Sequence, residues 1–161
     1  MSHIEERLAE LGLELPEYFP PAGSYIPAYR TGNLVYTAAV GPRRADGTDM
    51  TGVVGRDCTV EQGYEAARIA CWRMLGNVKT AIGDLDRVTH VVKILGMVQS
   101  SPDFNQYSQI VNGCSDLLVE LFGDAGKHAR TSMGVTRNPY DLIISLEGVF
   151  EVVDLFPRDE V

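Results

Sequence analysis

The stretch Arg87-Val88-Thr89-His90-Val91-Val92-Lys93-Ile94-Leu95-Gly96-Met97-Val98 decides how the rest of the chain must be arranged. Its β-branched and apolar residues favour a strand. Strict alternation places Val88, Val92 and Ile94 on one face and Val91, Leu95 and Met97 on the other. A strand that is apolar on both faces needs cover on both sides, and a single layer of helices supplies only one.

The flanking sequence supplies that single layer. Upstream, Thr59-Val60-Glu61-Gln62 has the form of a capping box, in which the threonine caps the third helical amide and Gln62 reaches back. Tyr64, Ala67, Cys71, Met74, Leu75, Val78 and Ile82 then mark one helical face, and Gly83 stands where a C-terminal cap belongs. Downstream, Ser101-Pro102 reads as an N-cap with proline in the first turn. Phe104, Tyr107, Val111, Cys114, Leu118, Leu121 and Phe122 follow as a second stripe that ends near Gly123.

Working further outward, Tyr25 to Arg30 reads as a strand that Pro27 confines to an edge. Thr31-Gly32-Asn33 is a tight turn and Leu34 to Val40 a buried strand, so the two form a hairpin. Thr131 to Thr136 and Leu142 to Val153 are the last strands, joined through Arg137-Asn138-Pro139-Tyr140-Asp141. At the start, Ile4, Leu8, Leu11 and Leu15 predict a short amphipathic helix over about residues 2–15 that Pro16 closes. Tyr18 to Gly23 is a rigid connector, and the tail from Asp154 is polar and loose. The order ββ-α-β-α-ββ describes one α+β domain over residues 1–161, with no internal linker. Its helix-free sheet face would expose an apolar patch that soluble monomers rarely tolerate, so the chain is expected to self-associate through the sheet.

Composition narrows the function. The 161 residues are 45% hydrophobic and 22% charged, with a formal net charge of −8. That charge argues against a nucleic-acid partner, because phosphate recognition needs a basic footprint. Cys58, Cys71 and Cys114 are widely spaced and odd in number, matching neither a zinc spacing nor a disulfide framework. Cys71 and Cys114 fall on apolar helical faces and read as buried thiols. The N-terminal residues lack an apolar signal core and no segment is long enough to span a membrane. A cytoplasmic location with no membrane partner is the expectation.

The chemistry is expected at His128-Ala129-Arg130-Thr131-Ser132-Met133-Gly134-Val135. A glycine-containing loop feeds an apolar, β-leaning run there, so Arg130 lies at a loop-to-strand junction. An arginine so placed can grip a carboxylate with two parallel hydrogen bonds. By composition alone, a surface ion pair is the more ordinary use of the same residue. His128 reads as a solvated loop histidine.

With these elements in place, the chain resembles the RidA/YjgF family of reactive-intermediate (imine/enamine) deaminases over roughly residues 24–153. The matching pieces are Gly32-Asn33-Leu34-Val35-Tyr36-Thr37, Asp86-Arg87-Val88, Phe104, Val111-Asn112-Gly113, Ala129-Arg130-Thr131 and Ser145-Leu146-Glu147. Leu11 to Pro16 and the loop from Gly123 to Arg130 are similar to a longer subgroup of that family. The resemblance implies a chorismate-mutase-like fold, a mixed sheet with two long helices on one face, assembled as a homotrimer with three clefts between subunits. It implies hydrolytic deamination of small 2-imino or enamine carboxylic acids, with no metal and no cofactor. Arg130 matches the family arginine that holds the substrate carboxylate, Tyr25 a tyrosine lining the cleft from the neighbouring subunit, and Asn112 a helix asparagine near the pocket.

Two departures from the family pattern bear on catalysis. Ala38-Ala39 replaces the usual Ser-Gly after the hairpin threonine. Ser145 stands where the family's deaminases carry the glutamate that orients the hydrolytic water. A serine can hydrogen-bond a water but is no carboxylate base. Glu147 shares its strand face, displaced by about 7 Å. Two functions therefore stay open: a deaminase using Arg130 with Ser145 or Glu147, or a non-catalytic trimer that binds a small carboxylate metabolite. Ribonuclease activity, also attached to the family, fits poorly with the acidic charge.

Overall fold

A computed structural model describes residues 3–15 and 20–153. Pro16, the connector through Phe19 and the tail from Asp154 lie outside those residues. The sheet has five strands in the order β1-β2-β5-β3-β4. These are β1 (Ala28–Thr31), β2 (Leu34–Thr37), β3 (Val88–Gln99), β4 (Ala129–Val135) and β5 (Ile144–Val152). β3 lies between β5 and β4, antiparallel to the first and parallel to the second, which makes the sheet mixed and leaves β4 on an edge. The helices are α1 (His3–Glu10), α2 (Val60–Ile82) and α3 (Tyr107–Phe122), in the ββ-α-β-α-ββ order expected.

Both long helices lie on one face. A Cβ on Gly96 of β3 would meet Val111 of α3 at 2.5 Å, and one on Gly148 of β5 would meet the Met74 sulfur of α2 at 3.1 Å. The capping box at the head of α2 forms: the Gln62 amide donates to Thr59 Oγ1 at 3.2 Å and the Thr59 amide to Gln62 Oε1 at 2.9 Å. Cys71 and Cys114 are fully buried between the helices.

The alternation expected in β3 does not hold at its start. The register slips between Val88 and His90 and again between Val91 and Lys93. Each slip is a bulge, and each resets which side chains face inward. Val88, Val91, Ile94 and Val98 are buried towards the helices, whereas Val92, expected beside Ile94, is exposed. Leu95 and Met97 do occupy the other face, where no helix covers them.

Boundaries also shift: β2 stops at Thr37, short of the expected Val40, while β4 begins at Ala129 and β5 at Ile144. α3 begins only at Tyr107: Ser101-Pro102 opens a turn, closed by the Phe104 amide donating to the Ser101 carbonyl at 3.1 Å, and not the helix. β1 begins only at Ala28, after Pro27. α1 stops at Glu10, and Gly12 takes a left-handed conformation (φ 71°), so Leu11 is left exposed. Among the described residues no helix is long and apolar enough to cross a membrane.

Candidate functional site

Arg130 is the second residue of the edge strand β4 and pairs with Ile94 in the parallel ladder. Paired residues project to the same side of a sheet. Arg130 therefore lies on the helix side, at the rim, and is half-buried. Its Nη1 donates to Asn112 Oδ1 at 2.7 Å and to Ser115 Oγ at 3.0 Å, both on α3. Among the described residues its Nε and Nη2 donate to nothing and no carboxylate pairs with it, so the surface ion-pair reading does not apply within the chain. Asn112, expected near the pocket, holds the arginine directly.

Ser115 was not anticipated. The available signal was its spacing: it follows Asn112 by three residues, so the two share a helical face. His128 is not a solvated loop residue either. It is half-buried, with Nε2 2.9 Å from Ser115 Oγ and Nδ1 2.6 Å from the Gly126 carbonyl. Burial pushes its pKa down from the usual histidine value, the Gly126 carbonyl opposes that, and the charges of Arg130 and His90 add to the lowering.

Ser145 and Glu147 stand on the opposite side of the sheet from Arg130. They pair with Met97 and Leu95 in β3, which pair in turn with Met133 and Thr131 in β4. Ser145 is buried at 7% exposure and Glu147 is half-buried. Among the described residues Glu147 makes no hydrogen bond or ion pair. The two share one face as the alternation required, and within one chain neither shares a cleft with Arg130.

Ser145 instead helps to line a cavity of about 550 Å³ together with Tyr25, Ala38 and Ala39. One wall is Arg73 and Asn77 of α2 and the other Met97 and Ser145 of the uncovered face. Tyr25 is half-exposed, and its hydroxyl accepts from the Ala22 amide at 3.3 Å. The turn at one rim, Pro139–Asp141, holds Tyr140 and Asp141 at φ 58° and 57°, a left-handed conformation unusual for side chains of that size. Asn138 and Gln99 enforce it: the Asn138 amide donates to Gln99 Oε1 at 2.7 Å, and Asn138 Nδ2 donates to the Met97 and Leu142 carbonyls. Strain of that kind persists where its surroundings over-determine it. No group of three or more His, Cys, Asp or Glu side chains that could hold a metal ion occurs among the described residues.

The chain thus carries two candidate half-sites, a cation at the β4 rim and a cavity that Ser145 helps to line, with Arg130 and Ser145 on opposite faces of its own sheet. Comparison with known proteins bears on the family and the fold. The family model described as "YjgF/chorismate mutase-like, putative endoribonuclease" matches residues 5–155. "Protein TCP17" of Trypanosoma cruzi is 35% identical over 150 residues, covering 92% of this chain and 94% of that protein. The crystal structure of Atu1372 from Agrobacterium tumefaciens, a protein of unknown function, is 34% identical with a TM-score of 0.86 over 94% of each chain. A "putative endoribonuclease" from Shewanella oneidensis MR-1 is 30% identical with a TM-score of 0.88, covering 94% of this chain and all of that one. Sequence motifs, sheet order and these matches over almost the whole length lead to one assignment: the chain belongs to the YjgF/chorismate mutase-like family.

Proposed function

We propose that the protein binds small 2-imino or enamine carboxylic acids in clefts between the subunits of a homotrimer and hydrolyses them to the 2-oxo acid and ammonia. The observation that carries this is Arg130: a half-buried guanidinium steadied through one nitrogen by two neutral acceptors, with its other donors unclaimed among the described residues. Such a fork is set for an anion, and a carboxylate takes two of its hydrogen bonds at once. Because Arg130 lies on an edge strand and Ser145 on the opposite face, only a neighbouring copy can bring the two half-sites together. The unpartnered, half-buried Glu147 on the uncovered face is a second reason for that face to meet another subunit.

In this reading Arg130 of one subunit fixes the carboxylate, and the imine carbon faces the cavity that Tyr25, Ala38, Ala39 and Ser145 of the next subunit provide. Holding an already electrophilic carbon against a water supplies much of the rate gain. Ser145 orients that water by hydrogen bonding, and Glu147 is the carboxylate two residues along the same face of the strand. No cofactor or metal is required by this chemistry. A second reading, a non-catalytic trimer that holds a small carboxylate, is favoured by Ser145 itself, a hydroxyl where a water-activating carboxylate would be expected. The endoribonuclease named for the family is the weakest reading, since the chain's charge of −8 opposes a polyanion.

The test couples an amino-acid oxidase to the purified protein and follows disappearance of the imino acid, beside calorimetric titration with 2-oxobutyrate. Hydrolysis above the uncatalysed rate, lost in Arg130→Ala, supports the enzyme. Binding without hydrolysis leaves the carboxylate-binding trimer. If Arg130→Ala dissociates the assembly while wild type binds no 2-oxo acid, the arginine is an interface ion pair and both readings fall.

A further inference from the structure

The contacts behind Arg130 have a fixed direction. The Gly126 carbonyl can only accept, so His128 Nδ1, 2.6 Å away, carries the ring proton. In the neutral ring Nε2 is then a bare acceptor, and the Ser115 hydroxyl donates to it at 2.9 Å. With its proton so engaged, Ser115 Oγ turns a lone pair to Arg130 Nη1, which donates to it at 3.0 Å. Donation therefore runs from Arg130 to Ser115 to His128 to the Gly126 carbonyl. The turn is seated tightly enough to hold this line, since a Cβ on Gly126 would come within 2.2 Å of the Leu118 carbonyl oxygen.

We propose that His128, acting through Ser115, is a positioning residue for Arg130 and couples carboxylate binding to proton uptake. The inference rests on the carboxylate reading of Arg130 given above. Protonating His128 puts a donor on Nε2, so the Ser115 hydroxyl must turn its own proton away while two cations flank it. An empty Arg130 opposes that change. A carboxylate docked on Arg130 offsets the guanidinium charge and removes the main like-charge objection, so the bound state takes up the proton more readily than the free state. By linkage, affinity then rises as the pH falls through the ionisation of His128. The charged groups acting on the ring are Arg130 on β4 and His90 on β3. From α3 the ring meets the Ser115 hydroxyl and from the turn a carbonyl. Acidic side chains on those elements are engaged elsewhere: Asp116 accepts from Tyr64, Glu120 pairs with Arg68 and Asp124 with Lys127.

The experiment is calorimetric titration of the assembled protein with 2-oxobutyrate, in buffers of different ionisation enthalpy, across the pH range in which histidines titrate. Wild type should take up a fraction of a proton on binding, with affinity rising about fivefold towards the acidic end. His128→Gln should bind with no uptake and a flat pH profile. Ser115→Ala, which keeps the histidine and is the gentler change, should also lose the uptake, whereas His90→Gln should keep it. A purely structural role would weaken binding equally at every pH. If wild type does not bind, the carboxylate reading of Arg130 has failed and this inference goes with it. If wild type binds and either His128→Gln or Ser115→Ala retains the full uptake, the relay alone is overturned.

Discussion

At Arg130 an ammonium cannot replace a guanidinium. The residue serves Asn112 and Ser115 with one nitrogen, and its Nε and Nη2 donate to nothing among the described residues. Lysine has one nitrogen for both tasks and no planar fork. Arg130→Lys should therefore lose most of the 2-oxobutyrate affinity despite keeping the charge, and Arg130→Ala should lose about 2 kcal/mol, roughly thirtyfold. Calorimetry on the folded variants checks both. His128 gives a stability prediction with a definite sign. Its folded pKa lies below its unfolded value, so between the two the unfolded chain binds more protons. Stability is thus fully present above about pH 6.5 and is lost as the pH falls below it. Urea midpoints followed downward from neutral pH should decline in wild type and decline less in His128→Gln. The place of Arg130 at a loop-to-strand junction was legible in sequence, because a glycine-containing loop there feeds a β-leaning run. The solvated reading of His128 failed because Ser115, which engages its Nε2, lies on α3, thirteen residues upstream, and no local pattern announces that contact.

Helix positions follow from packing that sequence periodicity only partly encodes. α2 and α3 were both read from their apolar stripes, and the capping box fixed the head of α2 to the residue. Thr59→Ala should cost about 1 kcal/mol of stability, since the Gln62 amide loses its acceptor with the hydroxyl while only the main-chain bond from residue 59 to Gln62 Oε1 remains. How closely the two helices approach was not readable, because it depends on a single missing side chain. A Cβ on Gly113 of α3 would fall 2.0 Å from the Tyr64 carbonyl oxygen and 3.1 Å from the Arg68 amide of α2. Backbone cannot yield as a flexible side chain can, so Gly113→Ala should cost about 3 kcal/mol, read as a lowered urea midpoint with unchanged slope. The same variant moves Asn112 next door, so Arg130 should lose alignment along with the stability. In β3 the bulges defeated strict alternation: they insert residues into one strand, and no two-residue pattern shows where. The result is nevertheless the one the composition of that strand required, an apolar set on each side.

At the scale of the whole molecule, the helix-free face of the sheet is what remains to be covered. It presents Leu95, Met97 and Val149, all half-buried, with Tyr36 and Met133 more exposed at 46% and 43%. Lys93 crosses part of it, donating to Thr131 Oγ1 at 2.9 Å. Three chains packed through this face would bury that patch and bring a neighbour's β4 rim towards the cavity at Ser145, which is why assembly and ligand binding should fail together. Leu95→Lys separates the possibilities. In an isolated chain the new ammonium sits in water beside its strand partner Glu147, so the fold should persist with unchanged far-ultraviolet circular dichroism. In an assembly it would be an ammonium buried in an apolar contact, where the cost of desolvating it and Glu147 exceeds the gain from pairing them, a loss of several kcal/mol per interface. Wild type should therefore sediment at three times the 17.7 kDa chain mass, and Leu95→Lys as a folded monomer that no longer binds 2-oxobutyrate. A trimeric Leu95→Lys would place the interface on another surface. A monomeric variant with wild-type affinity would mean that Arg130 binds without a neighbour and that the cavity at Ser145 serves some other purpose.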